Sequence, residues 1–221
     1  MMPNQQRFTG ILWYGTWFLL ITLLVLVVDL FCVLILWTPN GVWQLQNVLN
    51  QEIALLALPQ SDIDFLAGII QSFYDTVFVS SGIDGMMRHA ASLSPYDESQ
   101  PTATNFTEIL RPAIETCMIG LQLFALRIGV LILALPFLLL IALAAMADGY
   151  LGWFLRRTSG GRESGFIYHR AKRSLAASFL LLWLIYLVPP IPMNPIYIIP
   201  PFLLAAGITT YLHVAFFKKF L

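Results

Sequence analysis

Residues 117–147 read CMIGLQLFALRIGVLILALPFLLLIALAAMA, and a single charge, Arg127, interrupts them. A helix needs about 20 mostly apolar residues to cross the hydrocarbon core of a bilayer, and this run is longer than that. The whole chain agrees with it. Of its 221 residues, 58% are hydrophobic and only 11% are charged. Soluble domains are about 45–50% apolar and about 25% charged. The composition places the chain in the membrane class.

Three further segments flank this run. Residues 11–37 carry one charge, Asp29. They are too long for a cleaved signal peptide, and no small-x-small cleavage site follows, so they read as a retained anchor. Residues 175–188 are short for a crossing, but their helix can begin earlier, near Glu163, with its first turns outside the bilayer. Residues 202–217 follow Pro200-Pro201, which suit a helix start because their missing donors are not needed there. The expected fold is an all-α membrane protein. It has four transmembrane helices, with a small helical extracytoplasmic domain (38–116) between the first and second.

Charge sets the orientation. Residues 1–10 carry Arg7, and 218–221 carry Lys218 and Lys219. Residues 38–116 carry nine acids against two bases, Arg88 and Arg111. The loop 148–174 carries six bases against two acids, and the proline-rich connection 189–201 carries no charge. Basic segments stay cytoplasmic, which puts both termini and the 148–174 loop on that side. Trp13, Trp17, Trp37, Trp43, Tyr150 and Trp153 fall near the expected interfaces, where amphipathic rings anchor helices, whereas Trp183 falls inside the third span.

Within 38–116, apolar spacing predicts a helix over 42–58 that Pro59 stops. Ser61, with Asp64 three residues on, resembles a capping start for a second helix reaching about Val79. Ser80-Ser81-Gly82 breaks it, and a short helix through Met86 and His89 follows. Asn105, with Glu108 three residues on, resembles the cap of the helix that becomes the second span. Pro136 is expected to kink that span.

Asp29 and Arg127 are costly in lipid and must face protein or water. Each lies about ten residues from the outer end of its span, roughly 14 Å deep at about 1.5 Å per residue. Matched depth on consecutive antiparallel helices suggests an intramembrane ion pair. A proton or ion relay, or separate partners on another protein, are the alternatives. Cys32 and Cys117 lie in or at apolar segments and read as packing residues, so neither a disulfide nor a thiolate metal site is expected. Asp62-Ile63-Asp64 reads as helix N-terminal acids rather than a metal pair. No catalytic residue, metal site or cofactor is expected. Gly160-Gly161-Arg162 lacks the Gly-Lys-Ser/Thr element of a nucleotide loop, and Ser164 and His169 lack an acid partner and an oxyanion element.

The basic loop contributes one further signal. Asp148-Gly149, Arg156-Arg157, Gly160-Gly161-Arg162-Glu163-Ser164 and Tyr168-His169-Arg170-Ala171-Lys172-Arg173 together resemble the signature of a family of four-span membrane proteins. That family comes from integrating conjugative elements and conjugative plasmids, and its biochemical function is not established. The motif covers only about 148–173, whereas the four-span plan covers the chain. The resemblance implies a non-enzymatic subunit of the bacterial inner membrane in a conjugative DNA-transfer (type IV secretion) system. Residues 38–116 and 189–201 would then be periplasmic. Arg156, Arg157, Arg162, Glu163, His169, Arg170, Lys172 and Arg173 would form a cytoplasmic docking surface for another transfer protein, the coupling ATPase being one candidate. A second copy of the chain is an alternative partner, beside the lipid bilayer itself. A short loop tied between two spans, with few aromatic rings on which bases could stack, makes a poor DNA-binding module. A small transporter or channel that uses Asp29 and Arg127 is the competing reading.

Overall fold

The computed structural model describes residues 16, 19–92, 101–160 and 165–217. Among these, every regular element is helical. The first helix, α1, runs over Leu19–Leu36, and its last five residues, Cys32–Leu36, widen into a π turn closed by Trp37 N–H on the Cys32 carbonyl. Then follow α2 (Gly41–Leu55), α3 (Gln60–Tyr74, continued by a π turn, Asp75–Val79), α4 (Ile83–Ser92), α5 (Pro101–Thr158), α6 (Gly165–Leu187) and α7 (Pro195–Ala215).

The sequence explains most of these limits. Pro59 stands directly before α3, where the missing donor of a proline costs nothing. The expected capping role of Ser61 is not realised, because its hydroxyl bonds Asp62 and the helix starts at Gln60 instead. Gly82 makes the break before α4 with a φ of 78°, a backbone conformation that favours glycine. Asn105 lies inside α5 rather than at its start, since the helix already begins at Pro101. Helical winding also continues unbroken through Pro136.

Among the described residues, three helices are long and apolar enough to cross a membrane: Leu19–Leu36, Leu110–Thr158 within α5, and Pro195–Ala215. The four-helix expectation meets its exception in α6. This helix is 23 residues long, but His169, Arg170, Lys172 and Arg173 occupy its first half, leaving an apolar part shorter than a span. The fourth expected segment begins earlier than Pro200-Pro201. Asn194 caps α7 by accepting a hydrogen bond from Ile196 N–H at 2.9 Å, and Pro195 takes the first helical position. Pro200 and Pro201 thus lie inside the helix.

The chain divides into two compact units. The first holds the described residues up to Gly129 together with Val188–Pro192. Its core is the upstream part of α5, where residues 123–127 are all buried, packed by α1, α2 and α3. Phe73 of α3 meets Phe124 edge-on at 6.5 Å between centroids, and Leu66 seats against Gly129. The second unit comprises Val130–Leu187 and Met193–Leu221, and within its described residues α6 packs along α7.

In the first unit α3 and α4 are tied by Tyr74, whose hydroxyl donates to Asp84 Oδ1 at 2.8 Å, while Asp84 Oδ2 pairs with Arg88 at 2.9 Å. Burial first, and the Asp84 hydrogen bond second, push the Tyr74 phenol up to about 12. The folded state therefore keeps a proton that the unfolded chain loses near the ordinary value of 10.0. This contribution is complete below about pH 10 and disappears as pH rises through about 12. The α3–α4 pair should become protease-sensitive across that window, and Tyr74→Phe should remove the pH dependence. Tyrosinate absorbance of the purified chain checks it: Tyr74 titrating with the exposed tyrosines would contradict the contact.

A buried arginine clamp and a basic rim as candidate functional sites

Arg127 is the largest fully buried side chain among the described residues, with 1% of its surface exposed. A guanidinium carries five donors in a planar fork and cannot give up its charge. Burying it requires acceptors on every side. Its Nε donates to Glu52 Oε1 at 3.0 Å and Oε2 at 3.2 Å, and Nη2 donates to Glu52 Oε2 at 2.8 Å. The remaining edge meets backbone: Nη1 donates to the Pro189 carbonyl at 2.8 Å and Nη2 to the Ile191 carbonyl at 2.9 Å. Glu52 is itself fully buried on α2. One side chain thus ties α2, α5 and the 188–192 connection within the first unit.

The proline-rich connection suits this role. Pro190 and Pro192 have no N–H, so few local donors compete for the carbonyls of this turn, and the Pro189 oxygen has a second lone pair that Arg127 can use beside any local bond. Ile191 N–H closes on the Pro189 carbonyl at 2.9 Å and holds the turn tight.

The expected Asp29–Arg127 pair is not what the structure forms. Arg127 turns to Glu52, and neither carboxylate oxygen of Asp29 has a hydrogen-bond partner among the described residues. The reason is register. Asp29 lies on Gly120 so closely that a Cβ there would collide with its carboxylate. Gly120 is seven residues from Arg127, roughly 10 Å along the helix at about 1.5 Å per residue. Equal counting from the two helix ends missed this offset. Glu52 was missed because it sits in the acid-rich 38–116 stretch, where a carboxylate ordinarily faces water.

The basic rim lies in the second unit. The 148–174 segment is mostly helix: α5 continues to Thr158 and α6 starts at Gly165. Arg156 is not a free docking cation. Its Nη1 donates to the Ala215 carbonyl at 2.8 Å, and its guanidinium stacks 3.7 Å from the Phe216 ring centroid. Trp153 Nε1 donates to the Phe217 carbonyl at 3.1 Å, so the two side chains supply donors to the last carbonyl of α7 and to one just beyond the helix. Arg157 stands 5.1 Å over the Trp153 ring, and Arg170 stands 5.7 Å from the Phe166 ring. Arg157, His169, Arg170, Lys172 and Arg173 are exposed. Arg162 and Glu163 lie outside the described residues.

Residues 36–218 match a family described as DtrJ-like, after an IncC plasmid conjugative DNA transfer protein. The chain belongs to this DtrJ-like family. No curated protein and no solved structure matches it. The DtrJ-like match contains Glu52, Arg127, the Pro189–Ile191 turn and the whole basic rim, and begins after Asp29. It agrees with the family resemblance carried by the 148–173 motif and ties the chain to conjugative DNA transfer.

Removing one member of a buried ion pair costs about 3–5 kcal/mol, because the other charge is left without a partner. Arg127→Met and Glu52→Gln should therefore each lower the thermal unfolding midpoint of the purified chain sharply. The exchange Glu52→Arg with Arg127→Glu should recover less than half of the loss. A glutamate at 127 would face the Pro189 and Ile191 carbonyls with no donor. Full recovery would show a simple charge pair that owes nothing to the turn.

Proposed function

We propose that the chain is a non-enzymatic inner-membrane subunit that anchors or assembles other proteins of a conjugative DNA-transfer (type IV secretion) system. The observation that carries this reading is the DtrJ-like match over residues 36–218, joined to an exposed basic rim in that same span. The rim is Arg157, His169, Arg170, Lys172 and Arg173, continued in sequence by Arg162 and Glu163. It would dock an acidic surface of a cytoplasmic partner, the coupling ATPase being the first candidate.

We read the topology as four crossings, with both termini cytoplasmic and α2–α4 in the periplasm. The charge count over every connection supports this. The α6 helix would be the third crossing. Its 23 residues measure about 35 Å, against a hydrocarbon core of about 30 Å. Its basic first half would keep the charged ends in the headgroup layer while the stems cover apolar surface. The competing transporter or channel reading needs Arg127 along a water path. The burial of Arg127 and its engagement with Glu52 and two carbonyls favour a structural role instead.

Replacing Arg157, Arg170, Lys172 and Arg173 together by alanine should leave the chain in the membrane and lower DNA transfer by at least tenfold. Mating efficiency measures the loss, and cross-linking followed by affinity purification measures the accompanying loss of a cytoplasmic partner. Normal transfer with unchanged co-purification would remove the docking reading.

A further inference from the structure

Between α5 and α7, inside the second unit, lies an open groove of about 780 Å³. Close packing of the two helices forms its floor. A Cβ at Gly149 would lie 2.9 Å from the Tyr211 carbonyl oxygen, and one at Gly207 would lie 2.8 Å from Ile141. The walls are apolar (Ile141, Ala145, Leu204, Ile208), and the lining contains one charged residue, Asp148. Asp148 is exposed and has no ion-pair partner among the described residues.

Three features identify an occupant. Both walls belong to helices long and apolar enough to cross a membrane, and in the topology proposed above, on which this inference rests, lipid surrounds them. On α5, Asp148 lies two and five residues before Tyr150 and Trp153, whose rings stack at 5.7 Å between centroids, and aromatic rings of this kind mark the headgroup level. On α7 the groove runs from Pro200 to Tyr211. Those eleven steps cover about 16 Å, half of a hydrocarbon core of about 30 Å and hence the depth of one leaflet. An acid at headgroup level above an apolar channel one leaflet deep complements an ammonium-headed phospholipid.

We propose that this groove is a binding site for phosphatidylethanolamine, with its ammonium donating to Asp148 and one acyl chain lying against Ala145, Leu204 and Ile208. Ethanolamine is favoured over choline because its nitrogen keeps N–H donors.

The full-length chain in nanodiscs tests this with photoactivatable phosphatidylethanolamine and phosphatidylcholine probes. The ethanolamine probe should label residues 204–211 about tenfold more than the choline probe, the difference expected for one charge-assisted hydrogen bond. Asp148→Asn should erase that preference. Ala145→Phe should block labelling by both probes while Asp148 is intact, with the unfolding midpoint showing that the chain is folded. Equal labelling by both lipids would overturn the site. So would a preference unchanged in Asp148→Asn, or cross-linking of the groove to a protein helix, whether from a second copy or another subunit.

Discussion

A guanidinium moved out of water retains its charge and all five donors, and the surrounding chain must supply acceptors for them. In this protein Arg127 collects two oxygens from Glu52 and two backbone carbonyls from the 188–192 connection. Helix α2, helix α5 and the turn between α6 and α7 are held by that single requirement. The neighbouring contacts follow from it in space. Leu45, Val48 and Leu49 are buried on the same α2 that delivers Glu52, and Leu66 and Phe73 of α3 complete the sheath around α5. Hydrophobic burial supplies most of the energy of such a core, but it is non-directional. The clamp supplies direction.

The second unit applies the same chemistry at a helix end. The last carbonyls of α7 lack intrahelical partners; Arg156 provides a donor for Ala215, and Trp153 does the same for Phe217 just past the helix. The basic cluster of the 148–174 segment is therefore divided. Arg156 holds the unit together, while Arg157, Arg170, Lys172 and Arg173 stay at the surface, where another molecule can meet them.

Much of this fold was readable in the sequence, because local rules determine it. Proline at 59 and glycine at 82 limit their helices for backbone reasons alone, and the long apolar runs announce helices of spanning length. What escaped was tertiary. Glu52 lies 75 positions from Arg127, in a stretch whose acids read as solvent-facing, and no periodicity joins the two. The carbonyls of Pro189 and Ile191 carry no side-chain signal at all. The start of α7 was missed for a local reason: Asn194-Pro195 is a cap followed by a first-turn proline, but Pro200-Pro201 offered a second start with a similar rationale. In the basic segment, helix continued through Gly149 and Gly152 because those glycines serve close packing against α7 rather than chain breaking.

The clamp's defining property is its fork, which reaches a carboxylate and a turn simultaneously. Hydrogen exchange on Arg127→Lys measures that property directly, since lysine keeps the charge but cannot span both sets of acceptors. Protection should fall across the 188–194 connection while α2 amides over Gly41–Leu55 stay largely protected by the surviving charge pair. Unchanged protection in the connection would contradict the account, because the turn would then be held by something other than Arg127.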